Sequence, residues 1–331
     1  MKRDIVLCAR VRLARNYEDI PFDVHDRPEF AAICVARTVG AMKAAGADQG
    51  YRVFKLRDIP EVDRKCLAEC RVISKDLLAN ADSAAAMVNE REGVTIMIGE
   101  DDHLRIQARR GEFDLLSAAS AAFRVDDVLS RQVSFAFDEQ LGYLTACPTN
   151  TGTGMRASLL MHLPLLTRGK QMGNVGQLVS KVGLNIRGVY GEGSEALGDL
   201  YLVSNQVTLG RTEQELIATV TALGNQLSDM ERGLRMKAMG QGRIPLEDVV
   251  YRAWGVLTNA RVLPMNEFYQ HWSNVRLGAA LGLLNIPLDR LDLLLDLTQP
   301  AHLCLWAEEE LTGQALDQAR AEKVREVVGN M

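Results

Sequence analysis

The chain has 331 residues, 47% of them apolar and 5% aromatic, which calls for a packed core of Leu, Val, Ile, Ala and Met and leaves room for one large domain and a smaller one. Its formal net charge is −5 with no block of like charges, so it lacks the basic balance of a general nucleic-acid binder. No apolar run is long enough to span a bilayer, and Met1-Lys2-Arg3-Asp4 leads straight into a strand-like run rather than a secretory leader, so a cytoplasmic protein with reduced thiols and no membrane partner is expected.

From Asp4 to Arg15 apolar residues alternate with arginines, the period of a strand. A helix is predicted over Pro28–Ala45, with proline in its first turn and Gly46 after it. Residues 66–88 read as helical or mixed. Val94–Ile98 and Leu104–Gln107 read as two strands joined by the polar turn Gly99-Glu-Asp-Asp-His103. A helix is expected over 112–123, then a hairpin within Val133–Thr145 with Gly142 at its turn. Cys147-Pro-Thr-Asn-Thr-Gly-Thr-Gly-Met-Arg156 is a loop by composition, with a helix predicted to start near Ala157. Leu184–Val189 and Leu200–Val203 are strand candidates on either side of the glycine-rich stretch Gly188–Gly198. Thr212–Met236 is a long amphipathic helix with Leu216, Val220, Leu223, Leu227, Met230 and Leu234 on one face. Beyond Gly240-Gln-Gly242 strand signals vanish, and helices are predicted near 246–258, 265–282, 287–297 and 314–328. The fold class is therefore α+β, an antiparallel sheet flanked by helices, with a small C-terminal helical domain and a boundary near 235–245.

Arginines dominate the candidate chemistry. Arg10 and Arg12 fall on one face of a strand by alternation, with Arg15 nearby; Arg105 follows the acidic turn, Arg156 ends one glycine loop and Arg187 precedes another. Guanidinium forks grip phosphate oxygens in charge-assisted pairs, so converging arginines suit a polyphosphate; scattered singly, they would serve solubility. Glu100, Asp101 and Asp102 crowd one turn, either as a solvated turn or as carboxylates that orient an acceptor or hold Mg²⁺ through water. Glu192 lies between two glycines, which permit close approach of a ligand. Cys147 is either a reactive thiol near arginines or a structural one. Cys66 and Cys70 are four apart, but the sequence offers no second pair or histidine cluster, so no metal site is expected. Neither glycine loop has the Gly-Lys-Ser/Thr ending of a Walker motif, and there is no Gly-x-Ser-x-Gly elbow and no His-Arg-Asp loop of the protein kinases.

These segments, in this order, resemble the guanidino kinases, and within them the bacterial protein-arginine kinase branch. The resemblance covers nearly the whole chain. It rests on Cys147-Pro-Thr-Asn-Thr-Gly-Thr-Gly-Met-Arg-Ala-Ser158, on Arg187-Gly-Val-Tyr-Gly-Glu-Gly-Ser-Glu-Ala196 with Ser204-Asn-Gln-Val-Thr-Leu-Gly210, and on Arg10-Val-Arg-Leu-Ala-Arg-Asn16. It implies a catalytic domain over 1–238 and a helical, phosphoarginine-binding domain over 239–331. It implies ATP and Mg²⁺ as cofactors, with the nucleotide held by Arg10, Arg12, Arg71, Arg105, Arg156, Ala157, Ser158, Arg187, Gly188, Val189, Tyr190 and Gly191. Glu192 and Asp101 would hold the acceptor guanidinium, with Glu100 beside them. A C-terminal motif matches at Asp317, Arg320 and Ala321, with Leu316 in place of its leading arginine, and would bind phosphoarginine. Asp101 stands where the family has glutamate, Cys8-Ala9 where it has two serines, and Arg71 where it has histidine. Small-molecule members begin with an extra helical domain; the first phosphate arginine here lies ten residues from the start, so an open acceptor site that admits an arginine of another protein is expected. The implied partners are protein substrates with exposed arginine, a Clp-type protease, a zinc-bearing activator and a second copy of the chain in a homodimer. A kinase for free arginine or another small guanidine and a non-catalytic phosphoarginine-binding adaptor are the alternatives.

Overall fold

The computed structural model describes residues 3–22, 27–190 and 196–329. The order is β1 (Val6–Arg15), α1 (Pro28–Ala44), β2 (Arg52–Lys55), α2 (Glu61–Glu69), α3 (Lys75–Ala79), β3 (Ala85–Asn89), β4 (Val94–Ile98), β5 (Leu104–Arg110), α4 (Leu115–Ser130), β6 (Phe137–Asp138), β7 (Gly142–Tyr143), β8 (Met155–His162), α5 (Pro164–Arg168), α6 (Met172–Lys181), β9 (Leu184–Tyr190) and β10 (Ala196–Asn205). Helices follow: α7 (Glu213–Gln241), α8 (Arg243–Asn259), α9 (Met265–Ala280), α10 (Leu288–Leu297), α11 (Pro300–Ala307) and α12 (Gln314–Gly329). Among the described residues no helix is long and apolar enough to cross a membrane.

Eight strands form one sheet in the order β2-β3-β4-β5-β1-β8-β10-β9, antiparallel at every pairing. Strand alternation separates its two faces. On one, Ala9, Val11 and Leu13 of β1 lie beside Ala108 and Ile106 of β5 and Leu159, Ala157 and Met155 of β8, all without solvent exposure. This face forms the main core with α1, α4 and α7. Helix α7 starts on a capping box, Thr212 with Glu215, and buries Leu216, Val220, Leu223 and Leu227 along one stripe.

Two sequence expectations are corrected. The segment from Ala157 is a strand, not a helix. Met155-Arg-Ala-Ser-Leu-Leu-Met-His162 is rich in helix formers, but it pairs with β1 on one side and β10 on the other, and this central position overrides local propensity. Gly142 does not form the turn of its hairpin; it pairs with Asp138, and a Cβ there would sit 2.5 Å from the Gly152 carbonyl oxygen. Its glycine is required by the closeness of the Gly152 segment.

The C-terminal helices cover one end of the opposite sheet face. Leu160 of β8 and Leu200 of β10 share a cluster with Leu257, Phe268, Trp272, Leu291 and Val324. Polar groups fasten the contact. Arg276, fully buried, donates to the carbonyls of Asp4 (2.9 Å) and Arg3 (2.9 Å) and pairs with Asp292 at 2.7 Å. His162 Nε2 lies 2.8 Å from Ser273 Oγ.

Burial, reinforced by nearby Arg276, holds the His162 imidazole well below its usual range; burial also lowers His103. Both are thus neutral in the fold but protonate when unfolded. Their contribution to stability is full above pH ~6.5 and falls as pH drops below it, by up to about 1.4 kcal/mol per pH unit for each of the two histidines. Urea unfolding measured near neutrality and about one pH unit below the histidine range should show this slope, reduced in His162→Gln; equal stability at both pH values refutes it.

Candidate active site

The face opposite the core carries the arginines. In β1, Arg10 and Arg12 point away from Val11 and Leu13. Arg10 lies opposite Arg109 of β5 and Ser158 of β8; Arg12 lies opposite Gln107 and Arg156; Ala14 lies opposite Arg105. The next row outward runs from Cys8 through Leu160 and Leu202 to Arg187 at the edge strand β9. Four separated segments of sequence therefore bring their guanidinium groups to one face through β register alone.

Their mutual repulsion is visible in their protonation. Arg10 is brought down to about 10, first by burial; Cys8 opposes it, and Arg109, Arg71 and Arg187 each add to the lowering. Arg12 is held well below its usual range by burial and then by Arg10, Arg105 and Arg156, with Glu100 opposing. Arg156 is lowered by burial, Arg187 and Arg105. Its Nε is buried without a hydrogen-bond partner among the described residues. A buried donor within a field of like charges is a place for an anion.

The acidic turn between β4 and β5 is sorted by environment. Glu100 is fully buried, accepts from Ser74 Oγ and is ion-paired with Arg105; burial raises its pKa against the pull of that arginine. Asp102, also fully buried, accepts from Asn16 Nδ2 (2.7 Å) and the Ala146 N–H (2.8 Å). His103 accepts from the Tyr17 N–H at Nδ1 (2.9 Å) and donates from Nε2 to the Pro21 carbonyl (2.9 Å), which makes it structural. Asp101 alone is half exposed, 3.7 Å from Arg105. The turn thus presents one carboxylate beside the arginine face.

The glycine loop before β8 is clamped on both sides. Thr208 Oγ1 donates to the carbonyls of Thr149 (3.0 Å) and Thr151 (2.7 Å), and Arg15 donates to the Thr153 carbonyl (3.1 Å). Gly154 has φ +62°, and a Cβ there would lie 2.6 Å from the Ala14 carbonyl oxygen, so the sharp entry into Arg156 requires glycine. Arg15 itself is not part of the cationic face. It is 1% exposed, pairs with Asp126 at 2.7 Å and stacks 3.4 Å over Tyr143.

The remaining candidates are placed as follows. Ser158 Oγ accepts from Arg10 Nε at 3.4 Å. Ala157 points into the core, and its N–H is taken by Asn205 Oδ1 at 2.7 Å. Arg71, with φ +56°, stands near Arg10 and Arg109 and faces Asp296 of α10. Gly188 and Val189 lie in edge strand β9, Val189 partly buried against the helical cluster, and the Tyr190 backbone pairs with Ala196. Gly191 and Glu192 lie outside the described residues. Cys147 is half-buried, its Sγ 3.0 Å from Thr149 Oγ1 and close enough to Arg156 to act on it electrostatically. Arg320 is 2% exposed and donates to the carbonyls of Thr298 (3.1 Å) and Leu263 (2.9 Å) while pairing with Asp317; Ala321 is buried in the helical cluster. Sequence reasoning missed Gln107 and Arg109, although positions 105, 107 and 109 share a strand face. It also left Cys66 and Cys70 without partners, whereas folding brings His302 of α11 to them.

Residues 34–234 match the family described as ATP:guanido phosphotransferase, C-terminal catalytic domain, and residues 243–331 match the protein-arginine kinase McsB C-terminal domain. The chain is 43% identical over 330 residues to a protein-arginine kinase of Moorella thermoacetica, covering 98% of this chain and 94% of that one. It is 38% identical over 327 residues to a protein-arginine kinase of Bacillus subtilis, covering 98% and 90%. Among solved structures, a lombricine kinase superposes with a TM-score of 0.61 at 24% identity, covering 72% of this chain and 69% of that one. The duplicated taurocyamine kinase of Schistosoma mansoni superposes at 0.62 and 25% identity, covering 69% of this chain and 33% of its own length. The arginine-bearing antiparallel sheet and the helices beyond it thus identify the chain as a member of the ATP:guanido phosphotransferase family, on its protein-arginine kinase branch.

Proposed function

We infer that this chain transfers the γ-phosphoryl group of ATP to arginine side chains of other proteins. The observation that carries the reading is the single sheet face on which Arg10, Arg12, Arg105, Arg109, Arg156 and Arg187 converge. Such a donor set fits a triphosphate, and the unpartnered Nε of Arg156 is a donor in want of an acceptor. A cavity of about 450 Å³ adjoins the row, lined by Cys8, Arg71, Arg109, Leu160 and Asp296, and is the proposed seat of the nucleoside. ATP supplies the phosphoryl group, and Mg²⁺ held largely through phosphates and water would offset its charge.

The residues then have distinct roles. The arginines fix the phosphate chain and favour the charge that spreads over the transferring group. Arg105 is held in place from behind by Glu100. An acceptor guanidinium is cationic, with a pKa of about 13, and must be turned and relieved of a proton to attack. Asp101 stands where it can accept that guanidinium's N–H and take the proton, with Glu192 as the proposed second carboxylate. Arg320 is buried, with Nε and Nη1 donating to two carbonyls and Asp317, whereas the arginine face is open; catalysis rather than adaptor binding is therefore the reading adopted. Similarity to protein-arginine kinases supports protein substrates; marking for degradation, a Clp-type protease, a zinc-bearing activator, a homodimer and a cytoplasmic location are the finer parts of the proposal and rest on the resemblance of the sequence motifs alone.

Incubation with ATP, Mg²⁺ and a loosely folded protein should yield phosphoarginine, read by mass spectrometry without acid. Asp101→Asn should lower turnover by about 100-fold with ATP affinity little changed, and Asp101→Glu should restore it. Full turnover in Asp101→Asn would remove the carboxylate role, and equal efficiency on free arginine would turn the reading toward a small guanidine.

Arg105→Ala and Arg187→Ala should each weaken ATP binding by about 10–100-fold in calorimetry. Their stabilities should diverge. Arg105→Ala strands the buried Glu100 and should cost about 3–5 kcal/mol in urea unfolding. Arg187 is exposed, and its loss should change stability by no more than about 0.5 kcal/mol. Unchanged ATP affinity in both variants contradicts the clamp.

A further inference from the structure

Helix α2, which leads into Arg71, packs against α11, more than 200 positions later in the chain, through side chains that the phosphotransfer site does not use. Glu69 accepts the backbone N–H groups of Ala301 (2.9 Å) and His302 (3.1 Å), and its Oε2 lies 2.7 Å from His302 Nδ1. A carboxylate at that distance accepts from Nδ1–H and turns Nε2 toward Cys70. That Nε2 is 3.2 Å from Cys70 Sγ. Cys66, one turn earlier on the same side of α2, has its Sγ within 4.8 Å of the ligand atoms of Glu69 and His302. Both thiols are free, and so is that of Cys304, two residues beyond His302.

We propose that Cys66, Cys70 and His302, with Glu69 held against the imidazole, bind a soft divalent cation of the zinc class: Cys66, Glu69 and His302 each bring a donor atom within 4.8 Å of the others, and the Cys70 thiol, beside His302 Nε2, turns toward them to join the ion. Thiolate and imidazole donors select such an ion over magnesium or calcium. Two cysteines four apart on a helix project on one side and can share one ion, the spacing by which helical ligand pairs bind zinc. With Zn–S about 2.3 Å and Zn–N about 2.0–2.1 Å, a tetrahedral S–N edge is roughly 3.5 Å, close to the 3.2 Å between Cys70 and His302. A hydrogen-bonded carboxylate behind a ligating histidine is the usual supporting arrangement. Water or Cys304 completes four-coordination; Cys304 Sγ already accepts the Leu311 N–H at 3.3 Å. The ion would staple α2 to α11. It would also hold Cys70, whose carbonyl accepts from Arg109 at 2.6 Å, and so steady the end of the arginine row.

The test uses the full-length protein, reduced and stripped of metal by a chelator, titrated with cobalt(II) chloride and then zinc chloride. One equivalent of cobalt should give thiolate-to-metal charge-transfer bands and tetrahedral ligand-field absorption, displaced by zinc. Cys70→Ser and His302→Gln should abolish the bands, Glu69→Gln should weaken binding by about 10–100-fold, and Cys147→Ser should leave it unchanged. In the unmodified chain, zinc should shield Cys66 and Cys70, but not Cys147, from iodoacetamide, as read by peptide mass spectrometry; this arm does not depend on any variant folding. Absence of thiolate–cobalt bands, bands that survive both Cys70→Ser and His302→Gln, or alkylation of Cys66 and Cys70 at the same rate with and without zinc would overturn the assignment.

Discussion

Repulsion among guanidinium groups held side by side is the constraint around which the molecule is arranged. Arg10 and Arg12 sit two residues apart on a central strand, with Arg109 and Arg156 directly across from them. Flexible side chains in water would move apart. Here the strands fix their origins, and the strands are fixed by the apolar face beneath, where Ala9, Val11, Leu13, Ala108, Ala157 and Leu159 pack without exposure. The same field that, with burial, lowers Arg10, Arg12 and Arg156 makes the face attractive to a polyanion. Because the groups are already in position, little reorganisation is needed when charge shifts among phosphate oxygens, which is the electrostatic form of catalytic help that a rigid sheet gives best.

One face serves two ends. Along β8, Arg156 and Ser158 belong to the open half, and Leu160 and His162 to the half covered by α9. The transition is as abrupt as strand periodicity allows, a step of two residues. Arg276 makes the covered half firm by joining the carbonyls of Arg3 and Asp4 to Asp292. The helical region is therefore packed as a wall of the site, and the cavity at the boundary has sheet residues on one side and α10 on the other.

Much of this was legible in the sequence, because alternation in β1 and the long amphipathic stripe of α7 are periodic signals that tertiary context only reinforced. The arginine segments could be named in advance, and so could the acidic turn. What local pattern could not give was pairing. β8 reads as a helix until β1 and β10 are known to flank it, and Arg15 reads like its neighbours until Asp126, 111 residues away, claims it. Arg109 and Gln107 escaped notice because they gain meaning only opposite Arg10 and Arg12. The grouping of Cys66 and Glu69 with His302, and the contact of Cys70 with the same histidine, are likewise products of folding, with nothing local to announce them.

The acidic turn shows how closely such a site is specified. Three acids in succession look interchangeable, yet each has a different fate. Glu100 is committed to Arg105 and Ser74, and Asp102 to Asn16 and the Ala146 amide. Neither can rotate outward without leaving a buried donor unpaired, at a cost of about 1–3 kcal/mol or more. Asp101 is the acid left exposed, the one proposed to meet an acceptor, and it is one methylene shorter than the glutamate that the resemblance implies at that position. Glu100 cannot make up the difference, since moving it would release Arg105 from the phosphate side. The missing length must instead come from the acceptor, by a closer approach of its guanidinium to the turn. An arginine that projects from a loosely held segment can make that approach, whereas one fixed on a rigid surface cannot, so under the proposed role of Asp101 the shortened side chain would favour flexible substrates.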